Sequence, residues 1–136
     1  MCIRDRLSAV RSADPVLDVQ GRAIAEAYLE EILLRAYTDP DGVESGETRP
    51  TFDDIDDYHL LAANGCTTTS AACPTLGDCP CDQLGRPLGA LRGYAVDVAT
   101  SATTLNGAPA WRVDVAVTHA RAGDLRVELS GYRTSY

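Results

Sequence analysis

DPVLDVQGRAIAEAYLEEILLRAY, residues 14–37, carries the spacing of an amphipathic helix. Asp14 followed by Pro15 reads as an N-cap with proline at the first helical position, where its missing N–H costs nothing. Asp18, Arg22, Glu26 and Glu30 recur every fourth residue and form a polar stripe, with attractive Asp18–Arg22 and Arg22–Glu26 pairs. The rest is largely apolar, a wider surface than one sheet needs to cover. The simplest reading is a well-buried helix. A second reading sets Leu29, Ile32 and Leu33 on one side and Leu17, Ile24 and Tyr28 on another. One side then packs on the chain's own sheet, and the other stays exposed for neighbouring subunits. Thr38-Asp39-Pro40-Asp41-Gly42 supplies the turn residues that stop the helix.

Toward the C-terminus, two-residue alternation replaces the helical period. LRGYAVDVA (91–99) places Tyr94, Val96 and Val98 on one face. WRVDVAVT (111–118) places Trp111, Val113, Val115 and Val117 on one face and Arg112 and Asp114 on the other. LRVELSGY (125–132) alternates Leu125, Val127 and Leu129 against Arg126 and Glu128. Strict alternation means one buried and one wet face, as in an antiparallel sheet. Asn106-Gly107 and Ala122-Gly123-Asp124 are the expected turns. A helix followed by a run of strands is an α+β order, whereas a βαβ enzyme alternates its elements. The expected architecture is an N-terminal helix packed on an antiparallel sheet of three to four strands.

The segment between helix and sheet is unusual in composition. Residues 38–57 hold eight acids, among them Asp53, Asp54, Asp56 and Asp57, against Arg49 alone. Phe52, Ile55 and Tyr58, spaced three apart, suit one short helical turn pinning this loop to the core. Next comes a Thr/Gly/Pro-rich loop, 64–85, with Cys66, Cys73, Cys79 and Cys81. Four clustered cysteines point to loop disulfides in an oxidising compartment, with a metal site or free thiols as the alternatives. Their C-x6-C-x5-C-x-C spacing lacks the paired knuckles of common zinc sites. Cys79 and Cys81 are too close in sequence to bridge each other without strain, so each is expected to pair with Cys66 or Cys73.

At 136 residues the chain is one domain with a modest core. Its net charge is −8 and its twelve basic residues are all Arg. That balance argues against nucleic acid and against electrostatic docking on an anionic membrane. No stretch approaches the roughly 20 apolar residues of a membrane span. Arg4, Asp5 and Arg6 break any signal-peptide core, and MCIRDR (1–6) reads as foreign to the rest of the chain. Residues 1–11 are therefore expected to be a non-native or disordered N-terminus. The folded domain is expected over 12–136, with the helix at 14–37, acidic and cysteine loops at 38–90 and the sheet at 91–136.

Candidate chemistry is sparse. The acidic loop offers oxygen ligands that suit Ca2+, with Asp53, Asp54, Asp56 and Asp57 as the ligand set, though without an EF-hand register. A glycosidase carboxylate pair needs a cleft that nothing in the sequence supplies. His59 and His119 are the only histidines. A Cys66–His59 nucleophile would need a positive microenvironment, and this one is acidic. The sequence has no nucleophile elbow, P-loop or dinucleotide turn. No catalytic residues and no cofactor are expected beyond that calcium.

SADPVLDVQGRAIAEAYLEEILLRAYTDPDG (12–42), TFDDIDDYH (51–59), LRGYAVDV (91–98) and the ending LRVELSGYRTSY (125–136) together resemble the minor pilins of the mannose-sensitive haemagglutinin (MSHA) pilus. These belong to the superfamily of type IV pilins and type II secretion pseudopilins. The resemblance covers nearly all of residues 12–136, and AEAYLEEIL and FDDIDDY are its most specific parts. It implies a pilin fold, preceded by a leader and a hydrophobic half-helix that would lie upstream of residue 12. It implies a non-enzymatic structural role in pilus biogenesis or type II secretion, with other pilin or pseudopilin subunits as partners. The expected location is the periplasmic side of a bacterial inner membrane or the filament itself, with membrane contact only through the upstream segment. On this reading Leu17, Ile24, Tyr28, Leu29, Ile32 and Leu33 form the assembly interface. CTTTSAACPTLGDCPC (66–81) falls outside the family's pattern. The rival expectation, from a different class, is a periplasmic or secreted calcium-binding module using the acidic loop.

Overall fold

The computed structural model describes residues 2–3, 15–35, 52 and 55–134. A short strand β1 (Cys2–Ile3) is followed by helix α1 (Pro15–Leu33) and then by β2 (Tyr94–Leu105), β3 (Ala108–His119) and β4 (Ala122–Thr134). The sheet order is β1-β4-β3-β2, antiparallel throughout. One helix thus lies on an antiparallel sheet, the α+β class. β1 pairs Cys2 with Arg133 and Ile3 with Tyr132, adding two residues of the N-terminal segment to the β4 edge.

The three long strands exceed the alternating stretches that announce them. β2 and β3 pair without interruption from Tyr94↔His119 to Leu105↔Ala108. Asn106 (φ 52°) and Gly107 (φ 82°) make the two-residue connection, both in the left-handed region that matches the twist of a hairpin. This tight turn carries the ladder through SATTL and APA, where the hydrophobic alternation is weak. The second turn is not where its glycine suggested. Ala120-Arg121 makes the turn and Ala122–Asp124 lies within β4. The ladder passes from Thr118↔Arg126 to His119↔Ala122, so the glycine-containing triplet is absorbed as an irregularity of the ladder.

The inner face of the sheet is Tyr94, Val96 and Val98 on β2, Val113, Val115 and Val117 on β3, and Leu125, Val127 and Leu129 on β4, all buried. α1 lies across β3 and β4. Two glycines set how close it comes. A Cβ on Gly131 would stand 2.8 Å from Leu33 Cδ1, and one on Gly21 would stand 3.3 Å from Val127 Cγ2. The helix ends at Leu33, short of the residue-37 boundary drawn from the sequence. The Leu34 amide still reaches Glu30 O at 3.2 Å, but the Arg35 amide turns to Ile32 O at 3.0 Å. Arg133 Nη1, from β4, donates to Leu33 O at 2.9 Å and supplies the cation that the last helical turn lacks. Asp14, the expected N-cap, lies outside the described residues. Among the described residues no helix is long and apolar enough to cross a membrane.

The expected exposed side of the helix is a correction. Ile24 and Tyr28 are as buried as Leu29, Ile32 and Leu33, and Leu17 is half-buried against the same core. Five of the six residues assigned to an assembly interface are therefore core, because a second layer covers the side of α1 that the sheet leaves free. That layer is the 55–91 segment, whose irregular backbone gives little hydrophobic period to read.

Candidate functional site

The segment that covers α1 is built from short 3-10 turns at Asp56–Tyr58, Ala63–Gly65 and Gly89–Leu91. In the first, Ile55 and Tyr58 are fully buried and Phe52 meets Tyr58 edge-on at 4.8 Å between centroids. The expected anchoring turn is present over Ile55–Tyr58, with Phe52 packed on it; Asp53 and Asp54 between them lie outside the described residues. The Tyr58 hydroxyl donates to Glu31 Oε2 at 2.7 Å and accepts from Arg35 Nε at 3.1 Å. Burial, reinforced by the Glu31 carboxylate, pushes the Tyr58 hydroxyl well above its ordinary value of 10.0. Glu31, itself buried on α1, is thereby held by a neutral donor.

The second turn centres on Asn64, buried and left-handed at φ 57°, ψ 19°. Its Nδ2 group donates to the carbonyls of Gly77 (3.1 Å), Cys79 (3.0 Å) and Tyr94 (2.9 Å). Its Oδ1 accepts the Val96 amide at 2.8 Å, and its own carbonyl accepts from the Tyr28 hydroxyl at 2.7 Å. Tyr28 in turn accepts the Cys81 amide at 3.0 Å. One amide and one phenol thus bind helix, cysteine loop and sheet. The same segment closes the β2 edge: the Leu60 amide donates to Val98 O at 2.9 Å and the Thr100 amide to His59 Nδ1 at 3.0 Å. An edge covered in this way cannot template another strand there. Sequence reading passed over Asn64. Its one trace was the Asn64-Gly65 dipeptide, a turn signal whose two residues do both have positive φ.

Within the loop, Cys66 is bridged to Cys81 and Cys73 to Cys79, with Cα–Cα distances of 5.4 and 6.0 Å. Spacing alone left two pairings open, and the structure has the nested one. All four are buried, and the backbone of Cys81, in the outer bridge, is hydrogen-bonded to the Tyr28 hydroxyl. With Cys66 in a bridge and His59 on the β2 edge, those two form no thiol–imidazole pair. His119 sits edge-on to Tyr94 at 4.6 Å, its Nδ1 accepting the Arg121 amide at 3.0 Å.

Of the expected calcium ligands, Asp53 and Asp54 lie outside the described residues. Asp56 and Asp57 fall in the first 3-10 turn, Asp57 half-buried. Among the described residues no group of three or more His, Cys, Asp or Glu is close enough to hold a metal. Two concavities open among the described residues. A groove of about 380 Å³ runs between α1 and the loop, lined mainly by Ala23, Ile24, Ala27, Pro80, Leu88 and Leu91. A second, of about 450 Å³, borders the charged face of the sheet, where Arg112 pairs with Asp114 at 3.1 Å and Arg126 with Glu128 at 2.6 Å. Both arginines there are paired with carboxylates, whereas the first groove is apolar and follows the helix. The chain matches no family model, no curated protein and no solved structure.

Proposed function

We propose that this chain is a structural subunit of the type IV pilin or type II secretion pseudopilin kind, working on the periplasmic side of a bacterial inner membrane or in the filament. The observation that carries the reading is the arrangement of α1. An N-terminal helix lies along an antiparallel meander, and a doubly bridged loop closes its second side. Two disulfides within one loop fit an oxidising compartment. The apolar groove beside α1 suits packing better than turnover. On this reading the partners are other pilin-like subunits, reached through the helix side of the molecule while the sheet faces outward.

The test is genetic and biochemical. In cells carrying the complete gene, its deletion should reduce surface filaments or secretion, and an antibody should find the protein in the sheared filament fraction. Normal filaments and normal secretion in the deletion strain, with the protein absent from that fraction, would overturn the reading.

A further inference from the structure

The two edges of the sheet are finished differently. At the β2 edge the loop and its side chains take up the Val96 amide, the Val98 carbonyl and the Thr100 amide. At the β4 edge, among the described residues, β1 reaches only Tyr132 and Arg133. The ladder fixes which backbone groups this leaves facing outward. Val96, Val98 and Thr100 turn away from β3, so Asp97 turns toward it, opposite Ala116. Val115 and Val117 then turn toward Leu129 and Val127 on β4. The N–H and C=O groups of Arg126, Glu128 and Ser130 therefore point away from the sheet. A row of this kind is a template for one more strand.

Side chains select that strand. LRVEL (125–129) is symmetric about Val127, with leucine at both ends and opposite charges at the mirror positions 126 and 128. A second β4 laid antiparallel about Val127 sets Arg126 of each copy opposite Glu128 of the other, and Leu125 opposite Leu129. Arg126 and Glu128 are half-exposed on the wet face and already pair along their own strand at 2.6 Å. The contact thus closes four charges into an alternating square. Leu125, Val127 and Leu129 are buried on the inner face, and the pairing carries that face on from one copy to the next. The same residues fix the register. A slip of one residue would turn the apolar face to the wrong side. A slip of two would set Arg126 against Arg126, or Glu128 against Glu128, and like charges directly opposite repel. Each α1 lies over its own β3 and β4, so the two helices share one face of the joined sheet roughly 10 Å apart, the spacing of packed helices. We propose that the open β4 edge is a self-pairing surface on which a second copy of this chain docks antiparallel through its own β4. The two sheets become one across a two-fold axis at Val127, each partner using the same patch, and Tyr132 and Arg133 stay with β1. This edge lies apart from the helix side invoked for filament packing and does not depend on the pilin-like reading.

Sedimentation equilibrium on the full 136-residue chain tests it. The expected result is a concentration-dependent species of twice the 14.5 kDa chain mass. Arg126→Glu alone and Glu128→Arg alone each set like charges opposite one another. Each should weaken dimerisation roughly tenfold or more and leave the melting temperature of the dilute monomer in place. Mixed in equal amounts, the two variants should form a heterodimer, because glutamate at 126 then meets arginine at 128 and arginine at 126 meets glutamate at 128. Amide exchange gives a second readout: the N–H groups of Arg126 and Glu128 should slow on dimerisation. A chain that stays monomeric to about 1 mM overturns the proposal. A dimer indifferent to both variants, or a mixture of the folded variants that does not recover, overturns it equally. So does a dimer in which the Arg126 and Glu128 amides exchange as fast as in the monomer.

Discussion

At the scale of single residues, the polar groups that matter most are Asn64 and Tyr58. Asn64 meets four backbone groups through one side chain. Replacing it by Ala leaves the Val96 amide and several carbonyls buried without partners, each costing about 1–3 kcal/mol and not additively. It also forces a β-carbon residue with no local hydrogen bonding into left-handed backbone. The Asn64→Ala variant should lose about 3–4 kcal/mol, measured by urea unfolding. Tyr58 gives a pH-dependent expectation. Its folded-state value is raised, so above about pH 10 the unfolded chain sheds a proton that the folded chain keeps. The folded state then holds more protons and stability falls as pH rises; below that range the contribution is fully present. Tyr58→Phe should flatten this alkaline slope. At neutral pH it should cost about 1–3 kcal/mol, because Glu31 loses the Tyr58 hydroxyl as a donor. Melting curves between neutral pH and the alkaline range measure both effects.

At the scale of elements, the helix is held from two sides, and truncations on each side separate the two layers. Ile32 and Ile24 are both buried, so truncating either to Ala should cost about 2–5 kcal/mol, whereas Leu34→Ala at an exposed position should stay within about 0.5 kcal/mol. Thermal or denaturant melts of the three variants decide the matter. A negligible effect of Ile24→Ala would show that the loop is not packed on α1. The loop itself depends on its bridges, whose sequence separations are 15 and 6. In the chain-entropy view the wider bridge contributes about 3 kcal/mol and the inner one about 2 kcal/mol. Cys66→Ser with Cys81→Ser should therefore destabilise more than Cys73→Ser with Cys79→Ser. The outer loss should also free the Tyr28 hydroxyl from Cys81, a local change visible in amide exchange of the loop.

At the scale of the whole molecule, the described residues form two layers: α1, over β3 and β4, and the bridged loop, at the β2 edge, together cover one face of the sheet, and the far face pairs Arg112 with Asp114 and Arg126 with Glu128. The layers explain why the sides of the helix differ in use. The sheet covers one, the loop covers the next, and among the described residues Val16, Ala23, Ala27 and Leu34 stay exposed. Core truncations should thus lower the melting temperature, whereas charges placed on the exposed line of α1 should leave it in place.

The helix, the three long strands and the two faces of the sheet were legible in sequence, because period and alternation are local properties of the chain. So was the anchoring turn at Phe52, Ile55 and Tyr58. The cysteine spacing narrowed the bridges to two pairings, which is as far as loop-closure geometry alone could take it. What the sequence could not contain was the second covering of α1. Tyr28 looks free in a helical projection because its partners, Asn64 and Cys81, lie 36 and 53 positions away in a segment with no period to read. Ile24, one turn before it, is covered from the same side. The second turn escaped for a related reason: a glycine marks permissive backbone equally well in a turn and in a ladder irregularity, and only the pairing of β3 with β4 distinguishes them. Local pattern determined which elements form. Long-range contacts, made by side chains with no local signature, decided which helix surface is core and which remains open.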